Sequence, residues 1–293
     1  MKVVSLLPSA TEILFAIGAG EDLVGVTHEC DYPTEALGLP KLTSASTPGG
    51  TASAEIDRHV RAAVHAGSSL YYLDSALLAR LEPDLIVTQE LCAVCAVSYE
   101  IVDAAAKRLR SDPRVISLEP TSVQDVFANI TQLGEITGHE PQARDLVAGL
   151  ETRITALRSM TAGAAKRPRT LVLEWTDPPM SAGHWIPELV ELAGGIPVLA
   201  NPGENSQRLE WGAIAQAEPE AVIVAPCGFD LAKTRRAIEE LEAIEVWRSL
   251  AARRTGRVLA LDGNAYLSRP GPRLVDAAEI VERWYTGDAE YAG

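Results

Sequence analysis

The chain has 293 residues, 47% of them apolar and 23% charged, which is ordinary globular composition and long enough for two domains with cores of their own. A formal charge of −14 works against binding to nucleic acid or an anionic membrane surface, since both need clustered Lys and Arg. Four cysteines, with Cys92 and Cys95 only three residues apart, do not make a disulfide framework in a chain of this size.

From the start, Val3 to Leu7 is a continuous apolar run of the kind that forms a parallel strand covered on both faces. Ser9-Ala10-Thr11-Glu12 has the form of a capping box before a helix from Ile13 to Ile17, which Gly18 and Gly20 stop. Met1 and Lys2 lead straight into this strand, an apolar run too short for a signal-peptide core, so the expected compartment is the cytoplasm. No segment approaches the ~20 apolar residues of a membrane span, so the protein is not expected to be membrane-embedded. Strands follow at Leu23 to Thr27, Leu85 to Thr88 and Arg114 to Leu118. Helices are expected from Ala54 to Ala66 with Ser53 as cap, at Leu77 to Leu81, and from Val97 to Leu109.

From Ser122 to Ala162 helix signals run on almost without strand signals. Gly138 closes one helix, Pro141 suits the first turn of the next, and Leu146, Leu150, Ile154 and Leu157 recur at helical spacing. A helix from Glu140 to Ala162 would be roughly 35 Å long. After it the strand-and-helix grammar restarts, with strands at Thr170 to Glu174, Ala221 to Ala225 and Arg257 to Leu261. Helices are expected at Pro187 to Ala193, Ala213 to Ala217, Ala232 to Leu250 and Leu274 to Tyr285. Leu77 to Val87 repeats in Ala213 to Ile223: a helix, a Glu-Pro-acid turn and an apolar strand in register. The expected architecture is therefore α/β, with two Rossmann-like lobes of parallel sheet joined by a long helix: residues 1–121, a linking segment 122–166, and 167–293.

In open parallel sheets, ligands bind beyond the carboxyl ends of the strands. Here those ends carry Pro8 and Ser9; His28, Glu29, Cys30, Asp31 and Tyr32; Gln89, Cys92 and Cys95; Trp175, Asp177, Pro179, His184 and Trp185; Cys227 and Phe229; and Tyr266 and Arg269. Loops of this kind facing one another across two lobes would form a cleft with aromatic walls, suited to a large, flat, partly apolar ligand. Cys92-x-x-Cys95 by itself is half a zinc site. With Cys30 and Cys227 it supplies four thiolates, which keeps open a metal- or cluster-binding protein or metalloenzyme. No phosphate-cradling glycine loop and no Gly-x-Ser-x-Gly elbow occurs.

The run Val3 to Leu14 with Pro8-Ser9-Ala10-Thr11-Glu12, the Asp31-Tyr32-Pro33 triplet and Glu82-Pro83-Asp84-Leu85-Ile86-Val87 resemble the cobalamin-binding proteins among the helical-backbone substrate-binding proteins of ABC importers. His28-Glu29-Cys30, Leu91 to Ala96, Ala182-Gly183-His184-Trp185 and Pro226-Cys227-Gly228-Phe229 are similar to a signal-less bacterial branch of that family. The resemblance implies a non-catalytic protein whose ligand, cobalamin or a related corrinoid, lies between the lobes, with Trp175 as a ring-stacking aromatic and Tyr266 in the matching late loop. It also leaves room for an importer subunit for haem or a siderophore. Two departures stand out. Glu29 replaces an aromatic before Asp-Tyr-Pro, and the acidic positions that dock on a permease fall at Ala76 and Gly212, with Asp74 and Glu210 close by; docking on an ABC permease is accordingly not expected. His28 and His184 are candidate cobalt ligands, against an alternative in which they hydrogen-bond the corrinoid's amides.

Overall fold

The computed structural model describes residues 1–45, 52–65, 70–89, 99–164 and 166–287, with the side chains of 63–65 and 99–100 left aside. The chain divides into two compact units, the first made of Met1–Thr51, Glu55–Glu119 and Asp125–Val147, the second of Ala52–Ala54, Pro120–Gln124 and Ala148–Gly293.

The first unit is built on β1 (Val3–Ser5), β2 (Leu23–Val26), β3 (Thr43–Ala45), β4 (Tyr71–Leu73), β5 (Leu85–Thr88) and β6 (Arg114–Ser117). Its main sheet is parallel throughout in the order β2-β1-β5-β6, while β3 and β4 form a separate antiparallel pair. Val4 and Ile86 pack with Leu6, Leu42, Leu78 and Val102 as a core on one face of the sheet. The helix after β1 runs Pro8–Ala16 with Leu7 as its N-cap, so the expected capping box does not form. Pro8 is the physical reason: its fixed φ suits the first helical position and its missing N–H costs nothing there, so the helix starts five residues before Ile13. Ser9 and Glu12 then lie inside the helix and are buried.

The second unit contains β7 (Arg169–Thr176), β8 (Pro179–Ser181), β9 (Ile196–Pro197), β10 (Gln207–Arg208), β11 (Ala221–Val224) and β12 (Val258–Ala260). The strands β9, β7, β11 and β12 are mutually parallel, the same plan as β2-β1-β5-β6. In addition, β8 folds back antiparallel on the second half of β7, and β10 pairs antiparallel with β8. This hairpin replaces the loop expected after Trp175, because Asp177-Pro178 makes a tight turn. Leu171, Leu173, Val222, Val224 and Ile214 form a core with Trp247, which is fully buried, meets Trp211 edge-on at 6.4 Å and donates its indole N–H to Glu242 at 2.9 Å.

The internal repeat extends to the backbone. The helices Ser75–Leu81 and Trp211–Ala217 end on Glu82 and Glu218, both left-handed at φ 48, ψ 60 and φ 43, ψ 58, and a proline follows each. One residue on, Asp84 accepts the Lys2 amide at 2.7 Å and donates its own amide to the Lys2 carbonyl at 2.8 Å. Glu220 does the same with Arg169, at 3.0 and 2.8 Å. The Glu-Pro-acid turn thus pins the start of the neighbouring strand in each unit.

The segment 122–166 holds the helices Val123–Thr137 and Glu140–Thr161, and the first belongs almost wholly to the first unit. The second passes from one unit to the other at Val147 and Ala148. Leu150, Ile154 and Leu157 are its buried stripe, and Arg153 on its side binds Asp276 and, at 2.7 and 2.8 Å, Glu279 of the helix Leu274–Thr286. Among the described residues no helix is long and apolar enough to cross a membrane.

Candidate ligand-binding site

In the first unit, the loops that leave β1, β2 and β5 at their carboxyl ends carry a connected set of polar side chains. Ser5 donates to the Leu7 carbonyl at 2.9 Å, Thr11 donates to Ser5 at 2.8 Å, and the Thr11 hydroxyl lies 3.0 Å from Cys30 Sγ. Cys30 is therefore a buried thiol, 1% exposed, in contact with the helix that Pro8 and Ser9 open. Its carbonyl accepts the Lys41 ammonium at 2.8 Å. Asp31 and Tyr32 are exposed beyond it, and Gln89, directly after β5, is buried. Cys92 and Cys95 lie outside the described residues.

His28 sits in a second network. Its backbone N–H donates to Thr43 Oγ1 at 3.0 Å, its Nδ1 lies 2.7 Å from the same oxygen, and Thr43 Oγ1 is 2.7 Å from Thr27 Oγ1. The ring tilts against Tyr71 at 5.6 Å. Nε2 is covered and has no hydrogen-bond partner, with Glu29 Oε1 at 3.4 Å. Burial pushes this imidazole below its ordinary pKa; the Glu29 carboxylate opposes the shift and Lys41 adds to it.

In the second unit, Trp175 at the end of β7 meets Phe229, in the loop after β11, edge-on at 5.4 Å, and the Trp175 indole N–H donates to the Asp177 carbonyl at 3.1 Å. The Asn264 amide donates to the Phe229 carbonyl at 3.1 Å, and Arg269, itself buried, donates to the Asn264 side chain at 3.0 Å. This loop comes so close that a Cβ on Gly263 would lie 2.3 Å from the Pro226 carbonyl, which only glycine permits. Arg273 lies over the Tyr266 ring at 6.0 Å, and Cys227 is exposed. Trp175, Asp177, Phe229, Tyr266 and Arg269 are thus brought into one strand-end cluster.

His184 and Trp185 occupy a different position, beyond β8. Trp185 is buried and donates its indole N–H to the Leu267 carbonyl at 3.0 Å, so it anchors the late loop from inside; Pro179 is buried in β8. His184 is left-handed at φ 53, clamped by an N–H to the Glu204 carbonyl at 2.6 Å and a carbonyl that accepts from Gly203 at 2.9 Å. Its Nε2 is also covered and without a hydrogen-bond partner, and burial lowers its pKa against the opposing bond with Asn205. Thr43, Thr27, Tyr71 and Asn264 are missing from the residues expected on sequence grounds. Asn264 stood in a loop already singled out, but nothing in the spacing points to Thr43, which reaches His28 from a strand fifteen residues on.

Residues 3–265 match the family described as periplasmic binding protein. The chain belongs to that family. It is 23% identical over 291 residues to a vitamin B12-binding protein of Vibrio cholerae serotype O1, covering 96% of this chain and 87% of the relative. In fold it is similar to the periplasmic heme-binding protein RhuT of Roseiflexus sp. RS-1 (24% identity, TM-score 0.73, 97% and 98% of the two chains). It is likewise similar to the periplasmic vitamin B12-binding protein BtuF of Vibrio cholerae (21%, TM-score 0.70, 97% and 96%). The family consists of solute-binding proteins that catalyse nothing, and the protein is not an enzyme. That displaces the metalloenzyme alternative; two of its four thiols, Cys92 and Cys95, lie outside the described residues. The cytoplasmic expectation is corrected here as well, because this is a family of periplasmic binding proteins. The composition of the first residues was a weak guide to compartment.

Proposed function

We propose that this substrate-binding protein takes cobalamin or a related corrinoid, and that loops at the carboxyl ends of the strands supply its contacts. The observation that carries the reading is the half-buried Trp175 braced edge-on by Phe229, a rigid aromatic surface for a broad flat ring. Similarity along 96% of the chain to a protein described as binding vitamin B12 supports it. His28, Glu29, Asp31, Tyr32, Asp177 and Tyr266 are proposed as polar and aromatic contacts around the corrin's amide-bearing rim.

Haem is the second reading, supported by the likeness in fold to a heme-binding protein and by two neutral imidazoles at strand ends. Charge weighs against it. Haem brings two carboxylates, whereas the described loops offer Glu29, Asp31 and Asp177; of their cations Lys41 is engaged by the Cys30 and Ala36 carbonyls, Arg269 by Asn264, and Arg273 lies over the Tyr266 ring. The corrin rim carries uncharged amides and meets no such repulsion. Titration calorimetry of the purified protein with cyanocobalamin, a cobinamide and haem decides between the readings. One-to-one heat with the corrinoids alone is expected.

A further inference from the structure

We infer that Thr43 is a positioning residue that selects the tautomer of His28, and that His28 meets the ligand through an Nε2–H donor directed at an oxygen, not through a lone pair directed at a metal. The inference rests on the corrinoid reading and deepens it by naming the recognised group, an amide carbonyl of the ligand's rim.

The argument is a count of protons. The Thr43 hydroxyl has one proton and two lone pairs, and three neighbours: the His28 backbone N–H at 3.0 Å, Thr27 Oγ1 at 2.7 Å and His28 Nδ1 at 2.7 Å. The backbone N–H can only donate, so it occupies one lone pair. Thr27 Oγ1 also lies 3.4 Å from Nδ1, against 2.7 Å for Thr43, so the short contact pairs Nδ1 with Thr43; the Thr43 proton then goes either to Nδ1 or to Thr27, and with that pairing the two choices require opposite tautomers of the ring. At the other end of the ring, Nε2 lies 3.4 Å from Glu29 Oε1. A lone pair there would face a carboxylate oxygen with little water to screen the repulsion, whereas an N–H faces it favourably. The direction is therefore settled: Thr27 donates to Thr43, Thr43 donates to Nδ1, and the ring's proton sits on Nε2. The Glu29 amide, 3.4 Å from Thr27 Oγ1, points its hydrogen at that oxygen and leaves the Thr27 proton for Thr43.

In this arrangement the Nε2–H has no hydrogen-bond acceptor among the described residues of the free protein, with the Glu29 carboxylate only nearby at 3.4 Å. Nε2 is covered, and the Glu29 side chain beside it is 38% exposed. A carbonyl oxygen can take its position on the N–H. Cobalt cannot, since no lone pair of this ring faces outward: Nδ1 is occupied by Thr43 and Nε2 carries the proton.

The test uses the full chain labelled with 15N-histidine, with the His28 ring assigned by its loss in His28→Gln. Long-range 1H–15N correlations in the free protein should show Nδ1 unprotonated and Nε2 protonated. Thr43→Val should convert this to a tautomer mixture and weaken cyanocobalamin binding about ten-fold, and Thr43→Ser should restore both. The visible spectrum of aquocobalamin should keep its water-ligated form on binding. A protonated Nδ1 in the wild type, a wild-type ring state and affinity in Thr43→Val, or an imidazole-type cobalt spectrum lost in His28→Gln would each overturn the inference. If no corrinoid binds, the functional reading falls and takes the ligand half of the inference with it; the ring nitrogens of the free protein still decide the role of Thr43.

Discussion

At the scale of single residues, Trp175 bears the most weight. Trp175→Ala should weaken cyanocobalamin binding by roughly 1–3 kcal/mol, about five- to 150-fold, while Trp175→Phe should retain most of the affinity, both read by calorimetry. His28 and His184 set a pH dependence of stability. Both are held below the ordinary imidazole value of 6.5 by burial, so between that value and their folded pKa values the unfolded chain binds more protons than the folded one. The stability they contribute is complete above about 6.5 and is lost as the pH falls below it. Thermal unfolding followed from about pH 8 to 5 should show this decline, and the double variant His28→Gln, His184→Gln should flatten it. Part of this was legible in the sequence. Trp175, Phe229 and Tyr266 stand out because large aromatics directly after strands are seldom placed there for the core alone. Trp185 was expected beside His184 in the same loops, and only the fold reveals that its N–H reaches Leu267. The Thr27–Thr43–His28 network was illegible, because it depends on where β3 lies beside the end of β2.

Among the elements, the repeated Glu-Pro-acid turn was the most readable feature, and the structure gives it a mechanical role. Asp84→Ala and Glu220→Ala should each cost about 0.5–1.5 kcal/mol in denaturant unfolding, the range for one intramolecular hydrogen bond. Trp247→Ala should cost roughly 3–5 kcal/mol, since it empties the centre of the second core and leaves Glu242 without its indole partner. If Asp84→Ala and Glu220→Ala leave the unfolding midpoint unmoved, the turn is only a chain reversal. The elements that sequence patterns misjudged are short or locally ambiguous. The helix at Pro8 begins early because proline outranks the Ser9-x-x-Glu12 pattern at a helix start. The β7–β8 hairpin passed for a loop because Pro179-Met180-Ser181 is too short to show a period of two.

For the whole molecule, composition and repetition were enough to infer two α/β units with parallel sheets, and family membership agrees. Compartment was the failure, because the residues that open a chain describe its first strand better than its destination. The ligand is where the account is most exposed. Titration of the full chain with cyanocobalamin and, in parallel, with haem is the decisive measurement: the account predicts saturable one-to-one heat with cyanocobalamin and none with haem, and saturable binding of haem with no response to any corrinoid would contradict it.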